Sequence, residues 1–164
     1  MSYFIIIRGP AGVGKTSIAH KLSQLLHAYY IGFDTVLQCH NLDFISENGC
    51  VSECNMLLAN KMIIPEAQER LKNRQSVIFD GNFYHKSQLE DLITELKYPY
   101  LIFTLKADLP TCSARNKMRK QPLNDQEIKN VFELVSKFDY GEVINTNGYN
   151  VGEIVQKILK EIYT

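Results

Sequence analysis

The chain is predicted to form an α/β fold in which a parallel sheet carries helices on both faces. Three observations predict it. Short apolar runs (Tyr3-Phe4-Ile5-Ile6-Ile7, Val77-Ile78-Phe79 and Tyr100-Leu101-Ile102-Phe103-Thr104-Leu105) lack polar alternation, as strands covered on both sides should. Between them lie stretches whose apolar residues recur at three and four, the period of a one-faced helix. The two patterns alternate along the chain, and alternation points to parallel pairing through helical crossovers.

Taken in order, Tyr3 to Ile7 is the first strand. Gly9-Pro10-Ala11-Gly12-Val13-Gly14-Lys15-Thr16 follows and matches G-x-x-x-x-G-K-[ST], the phosphate-cradling P-loop. Ile18, Ala19, Leu22, Leu25 and Leu26 then give a helix its apolar face. The loop therefore joins a strand to a helix N-terminus, the context that phosphate binding needs. Its glycines let several N–H groups converge on one anion, and the helix end adds partial positive charge. Lys15 supplies a mobile full charge, Thr16 a hydroxyl ligand for Mg²⁺, and Ser17 completes the phosphate-binding set. Binding of a nucleoside triphosphate is the expectation.

Tyr29-Tyr30-Ile31-Gly32-Phe33 reads as a second strand, closed by Asp34. Residues 35 to 48 are polar and mixed and carry no assignment. Val51 to Lys61 is helical in composition, and Pro65 suits the first residue of a further helix reaching Arg74. Ser76 to Gly81 is a strand ending in an acid. Ser87 with Glu90 has capping-box spacing, ahead of a stripe of Leu89, Leu92, Ile93 and Leu96. After the strand at Tyr100 to Leu105, Pro110 opens a helix that leads into a basic stretch, Arg115 to Lys120. Asn124 with Glu127, and Asn150 with Glu153, cap the last two helices, which flank a short strand at Glu142 to Thr146.

Composition narrows the functions. The 164 residues suit a single domain spanning 1–164, and 45% hydrophobic content is ordinary globular material. Eighteen basic and eighteen acidic residues cancel, which disfavours a wide nucleic-acid footprint while leaving room for a local basic cluster. No apolar run has the length of a membrane span, and no charged prefix precedes the first strand, so a cytoplasmic location is expected. Cys39, His40, Cys50 and Cys54 could supply zinc ligands. Alternatively Cys50 and Cys54 share a helical face as buried thiols.

Ligands of parallel α/β sheets bind beyond the carboxyl ends of the strands. That rule singles out the P-loop, Asp34, Asp80 and Asn145-Thr146. Asp80 has the placement of an acid that orients Mg²⁺ beside a P-loop, or else Asp80-Gly81-Asn82 is a turn. Asp34 is either a base for an attacking hydroxyl or a helix N-cap. Arg115 and Arg119, four apart, would share a helix face and could meet one anionic ligand, or face solvent.

These features together resemble the small P-loop kinases grouped around polynucleotide kinase, zeta toxin and chloramphenicol phosphotransferase, near shikimate and gluconate kinases. The likeness runs nearly end to end. It rests on Gly9 to Thr16, Asp34, Val77 to Gly81, the Arg115-x-x-x-Arg119 helix with Pro122-Leu123, and Val143 to Thr146. The resemblance implies a three-layer P-loop NTPase fold with a five-stranded parallel sheet in the order 2-3-1-4-5 and a short lid around 115–125. It implies Asp34 as base, Arg115 and Arg119 as lid arginines on the phosphates, and Asn145-Thr146 as the adenine-side loop. Polynucleotide kinases carry an arginine shortly after their base, where this chain has Gln38. No Arg occurs between Arg8 and Arg70, which favours a neutral or lightly charged acceptor.

The expected activity is transfer of the ATP γ-phosphate, with Mg²⁺, to a hydroxyl of a small molecule or nucleoside. A 5′-hydroxyl polynucleotide kinase and a P-loop ATPase acting on a protein partner are the alternatives. A guanine-specific switch fits poorly, since Phe83 stands where D-x-x-G needs glycine and Asn116-Lys117-Met118-Arg119 lacks the final acid of N-K-x-D. An idle nucleotide-binding module would not need Lys15, Thr16 and Asp80 together.

Overall fold

The computed structural model describes residues 1–46 and 49–164. Five parallel strands form one sheet: β1 (Phe4–Arg8), β2 (Tyr29–Gly32), β3 (Val77–Gly81), β4 (Tyr100–Lys106) and β5 (Glu142–Asn145). Their order across the sheet is β2-β3-β1-β4-β5, as the resemblance implies. The helices are α1 (Lys15–Leu26), α2 (Phe33–Cys39), α3 (Glu53–Lys72), α4 (Lys86–Leu96), α5 (Leu109–Lys117), α6 (Asp125–Val135) and α7 (Val151–Tyr163). No described helix is long and apolar enough to cross a membrane.

Every residue of β1 is buried, and alternate side chains enter opposite cores. Phe4 and Ile6 face α3, α4 and α6, while Ile5 and Ile7 face α1 and α7. This two-sided burial is why the central strands read as continuous apolar runs. Both predicted capping boxes on the last helices form: Asn124 with Glu127, and Asn150 with Glu153.

Three local expectations are corrected. The second strand stops at Gly32, and Phe33 and Asp34 already lie in α2, whose N-cap is Gly32; Asp34 thus neither ends a strand nor caps a helix. Pro65 does not start a helix but sits inside α3. The proline ring denies Lys61 its helical hydrogen bond. Lys61 and Pro65 both lie on the exposed face, so water can satisfy the freed carbonyl while Asn60, Ile63, Ile64 and Ala67 stay buried. Ser87 makes no capping box, because α4 begins one residue before it with His85 as N-cap, and the buried Ser87 hydroxyl has no partner.

Candidate active site

The P-loop leaves β1 at Arg8 and ends where α1 begins. Gly12 has φ +83°, and a β-carbon there would collide with the Cys112 carbonyl, so the loop lies flush against α5. Gly14 is the N-cap of α1 and offers no side chain, which leaves the first-turn N–H groups uncapped and open to an anion. The Lys15 ammonium donates to the Pro10 carbonyl at 2.9 Å, folded back over the loop. Burial pushes it below the ordinary lysine range; the Asp80 and Asp34 carboxylates oppose that shift, and Arg119 adds to it.

Asp80 is buried near the carboxyl end of β3, paired in register with Ile7 of β1 and Gly32 of β2. Its Oδ2 accepts from Thr16 Oγ1 and from Tyr30 Oη, each at 2.8 Å. A P-loop hydroxyl bonded to a strand-end carboxylate is a pair of hard oxygen donors. It fits Mg²⁺ better than a soft metal. Among the described residues no cluster of three or more His, Cys, Asp or Glu side chains could hold a metal; Cys39 and Cys54 are exposed while Cys50 is buried.

Asp34 is exposed in the first turn of α2, where the helix dipole favours its charge. Arg119 lies beyond α5, which ends at Lys117, so Arg115 and Arg119 do not share a helix face as their spacing suggested. Arg115 donates to Val13 O (3.1 Å), Thr146 Oγ1 (3.1 Å) and Thr146 O (3.2 Å), joining the P-loop to the segment after β5. Thr146 is buried, and Asn145 is exposed with its side chain accepting from Asn147 N at 2.9 Å. The segment 118–122 is closed at its base by buried Asn116, which donates to Leu123 O (2.8 Å) and accepts from Leu123 N (3.1 Å). Of the other residues expected to bind phosphate, Gly9, Pro10, Ala11 and Val13 are buried, while Thr16 and Ser17 are exposed.

Tyr84 Oη accepts from Val51 N (2.8 Å), and His85 Nε2 lies 2.9 Å from Val51 O. Both main-chain groups of Val51 are thereby held against the loop after β3.

A P-loop set between β1 and α1, a strand-end carboxylate on its hydroxyl, and this strand order define the fold of the small P-loop kinases. A family model described as AAA domain (AAA_33) matches residues 4–134, and the chain belongs to that family. Among solved structures it is similar to a sugar kinase from Janibacter sp. HTCC2649, at 13% identity, 98% coverage of this chain, 94% of that chain and TM-score 0.80. It is similar to the tunicamycin resistance protein of Deinococcus radiodurans, with 21% identity, coverage of 99% and 96%, and TM-score 0.70. A shikimate kinase from Acinetobacter baumannii aligns with 17% identity, coverage of 99% and 93%, and TM-score 0.63. No curated protein sequence matches the chain.

Sequence reasoning missed two residues. Arg8 is fully buried beneath the loop, donating to Thr104 Oγ1 (3.1 Å), Phe138 O (3.0 Å), Phe83 O (3.3 Å) and Val135 O (3.1 Å). A charged residue closing an otherwise apolar strand was its only signal. Tyr30 was read as strand alone; its hydroxyl, two residues before a glycine, was the available hint.

Proposed function

We propose that the protein is an ATP-dependent kinase that phosphorylates a hydroxyl of a small, neutral or lightly charged molecule. One observation carries this reading: the buried Asp80 carboxylate accepts from Thr16 Oγ1 at 2.8 Å, beside the uncapped N-terminus of α1. The loop amides from Gly9 to Ser17 bind the polyphosphate, and Lys15 leaves the Pro10 carbonyl for the β- and γ-phosphates. Mg²⁺, held by Thr16 and Asp80, would neutralise phosphate charge when bound. Asp34 takes the acceptor's proton as its oxygen bonds to the γ-phosphorus. The bond from that phosphorus to the β–γ bridging oxygen breaks, and its electron pair leaves with ADP. Arg119 balances charge on the transferring group. Arg115, with Asn145 and Thr146, borders the nucleoside end.

A neutral acceptor is supported by the absence of arginine between Arg8 and Arg70. The test measures phosphate transfer from labelled ATP to nucleosides, sugars, antibiotics and 5′-hydroxyl oligonucleotides. With the best acceptor, Asp34→Asn should slow transfer by roughly 10²- to 10⁴-fold while leaving ATP affinity unchanged. Full transfer by that variant would remove Asp34 as base. Uptake by oligonucleotides alone would move the acceptor class to nucleic-acid ends, and ATP hydrolysis with no acceptor used would favour a protein-directed ATPase.

A further inference from the structure

The Asp80 carboxylate is held by two donors, and only one belongs to the P-loop. Tyr30 reaches it from β2, its ring stacked on His20 of α1 with centroids 3.9 Å apart and planes at 27°. Its hydroxyl and that of Thr16 end on the same oxygen, Oδ2, and among the described residues Oδ1 has no hydrogen-bond partner. Gly32 makes the approach feasible. Its φ of −96° suits any residue, yet a β-carbon there would lie 2.7 Å from Tyr30 Oη and 3.2 Å from Cζ. The glycine therefore provides room for a phenol, not a special backbone conformation.

We propose that Tyr30 is a positioning residue for the metal side of the site, fixing the Asp80 carboxylate beside Thr16 through Oδ2 and leaving Oδ1 without a protein partner among the described residues. The inference rests on the kinase reading of the same site. The Thr16 hydroxyl can keep its proton on Asp80 while an oxygen lone pair meets a metal. Partners that orient metal-side carboxylates are generally worth 10- to 100-fold in metal affinity or activity.

The full-length protein is titrated with Mn²⁺ in the presence of ADP and followed by electron paramagnetic resonance; ADP alone is titrated in EDTA by calorimetry. Tyr30→Phe should weaken Mn²⁺ binding roughly tenfold and leave ADP affinity in EDTA within about twofold. Gly32→Ala keeps the hydroxyl but displaces it, and should shift Mn²⁺ affinity in the same direction. It serves as the test if the phenylalanine variant does not fold. Wild-type Mn²⁺ affinity in the folded variants would overturn the proposal. So would an equal loss of ADP and Mn²⁺ binding, which is what a merely structural role predicts. If the wild-type protein fails to bind Mn²⁺ with ADP, the kinase reading falls and this inference with it. Normal wild-type binding with unaltered variants removes Tyr30 alone.

Discussion

Arg8 offers the sharpest test of what holds the site in place. Its guanidinium is buried without a carboxylate in hydrogen-bond contact; its partners are three carbonyls and a hydroxyl, and the Phe138 ring lies 4.3 Å away. Replacing it with methionine keeps most of the volume and removes all four bonds. Thr104 Oγ1 retains Tyr140, and the Phe138 carbonyl is only part-buried, so neither is stranded. Phe83 O and Val135 O are stranded, at about 1–3 kcal/mol each. Against this stands relief from burying a charge, a cost visible in the guanidinium's fall to about 10. A net loss of about 2–4 kcal/mol is expected, or about 5–15 °C in Tm for a chain of this length. Urea unfolding followed by circular dichroism reads it directly. Arg8→Lys should recover less than half, since one ammonium cannot reach four acceptors spread over three separate segments. A methionine variant within about 0.5 kcal/mol of wild type would refute the reasoning, because burial cost would then cancel the bonds.

Two further outcomes are expected. Pro65→Ala restores the N–H that α3 lacks, on a face where no packing is lost, and should stabilise the protein by about 1 kcal/mol or more in the same urea assay; a loss would mean that the proline shapes the helix. Tyr30 and Tyr84 are raised acids, so the folded state keeps their protons after the unfolded chain, with ordinary phenols near 10, has released them. Their contribution is therefore whole below pH 10 and lost as pH climbs above it. Titration at 295 nm should show them ionising only with unfolding, and early ionisation of all nine tyrosines would contradict the burial described for them.

Much of this architecture was legible in the residues, for reasons that can be separated. Central strands announce themselves because both of their faces must be apolar, and the two capping boxes are local chemistry confined to four residues each. The P-loop is legible because its chemistry is carried by main-chain amides and so constrains sequence tightly. Asp34 was misplaced because the strand was carried one residue too far, through Phe33, when Gly32 already caps α2. The Ser87–Glu90 spacing failed because a helix can start one residue early, and Arg119 left its helix because α5 stops at Lys117. Arg8 and Tyr30 were invisible for a different reason. Their partners lie between 50 and 130 residues away in the chain, and no local pattern encodes such meetings.

The family model ends at residue 134, yet the chain's physical unit does not. Arg8 depends on Val135 and Phe138, and Arg115 depends on Thr146. Cutting the polypeptide at the homology boundary would strip both guanidinium groups of acceptors while sparing every letter of the phosphate motif. Anyone trimming this molecule for crystallisation or fusion should treat the last thirty residues as buttresses of the nucleotide end rather than as a dispensable tail.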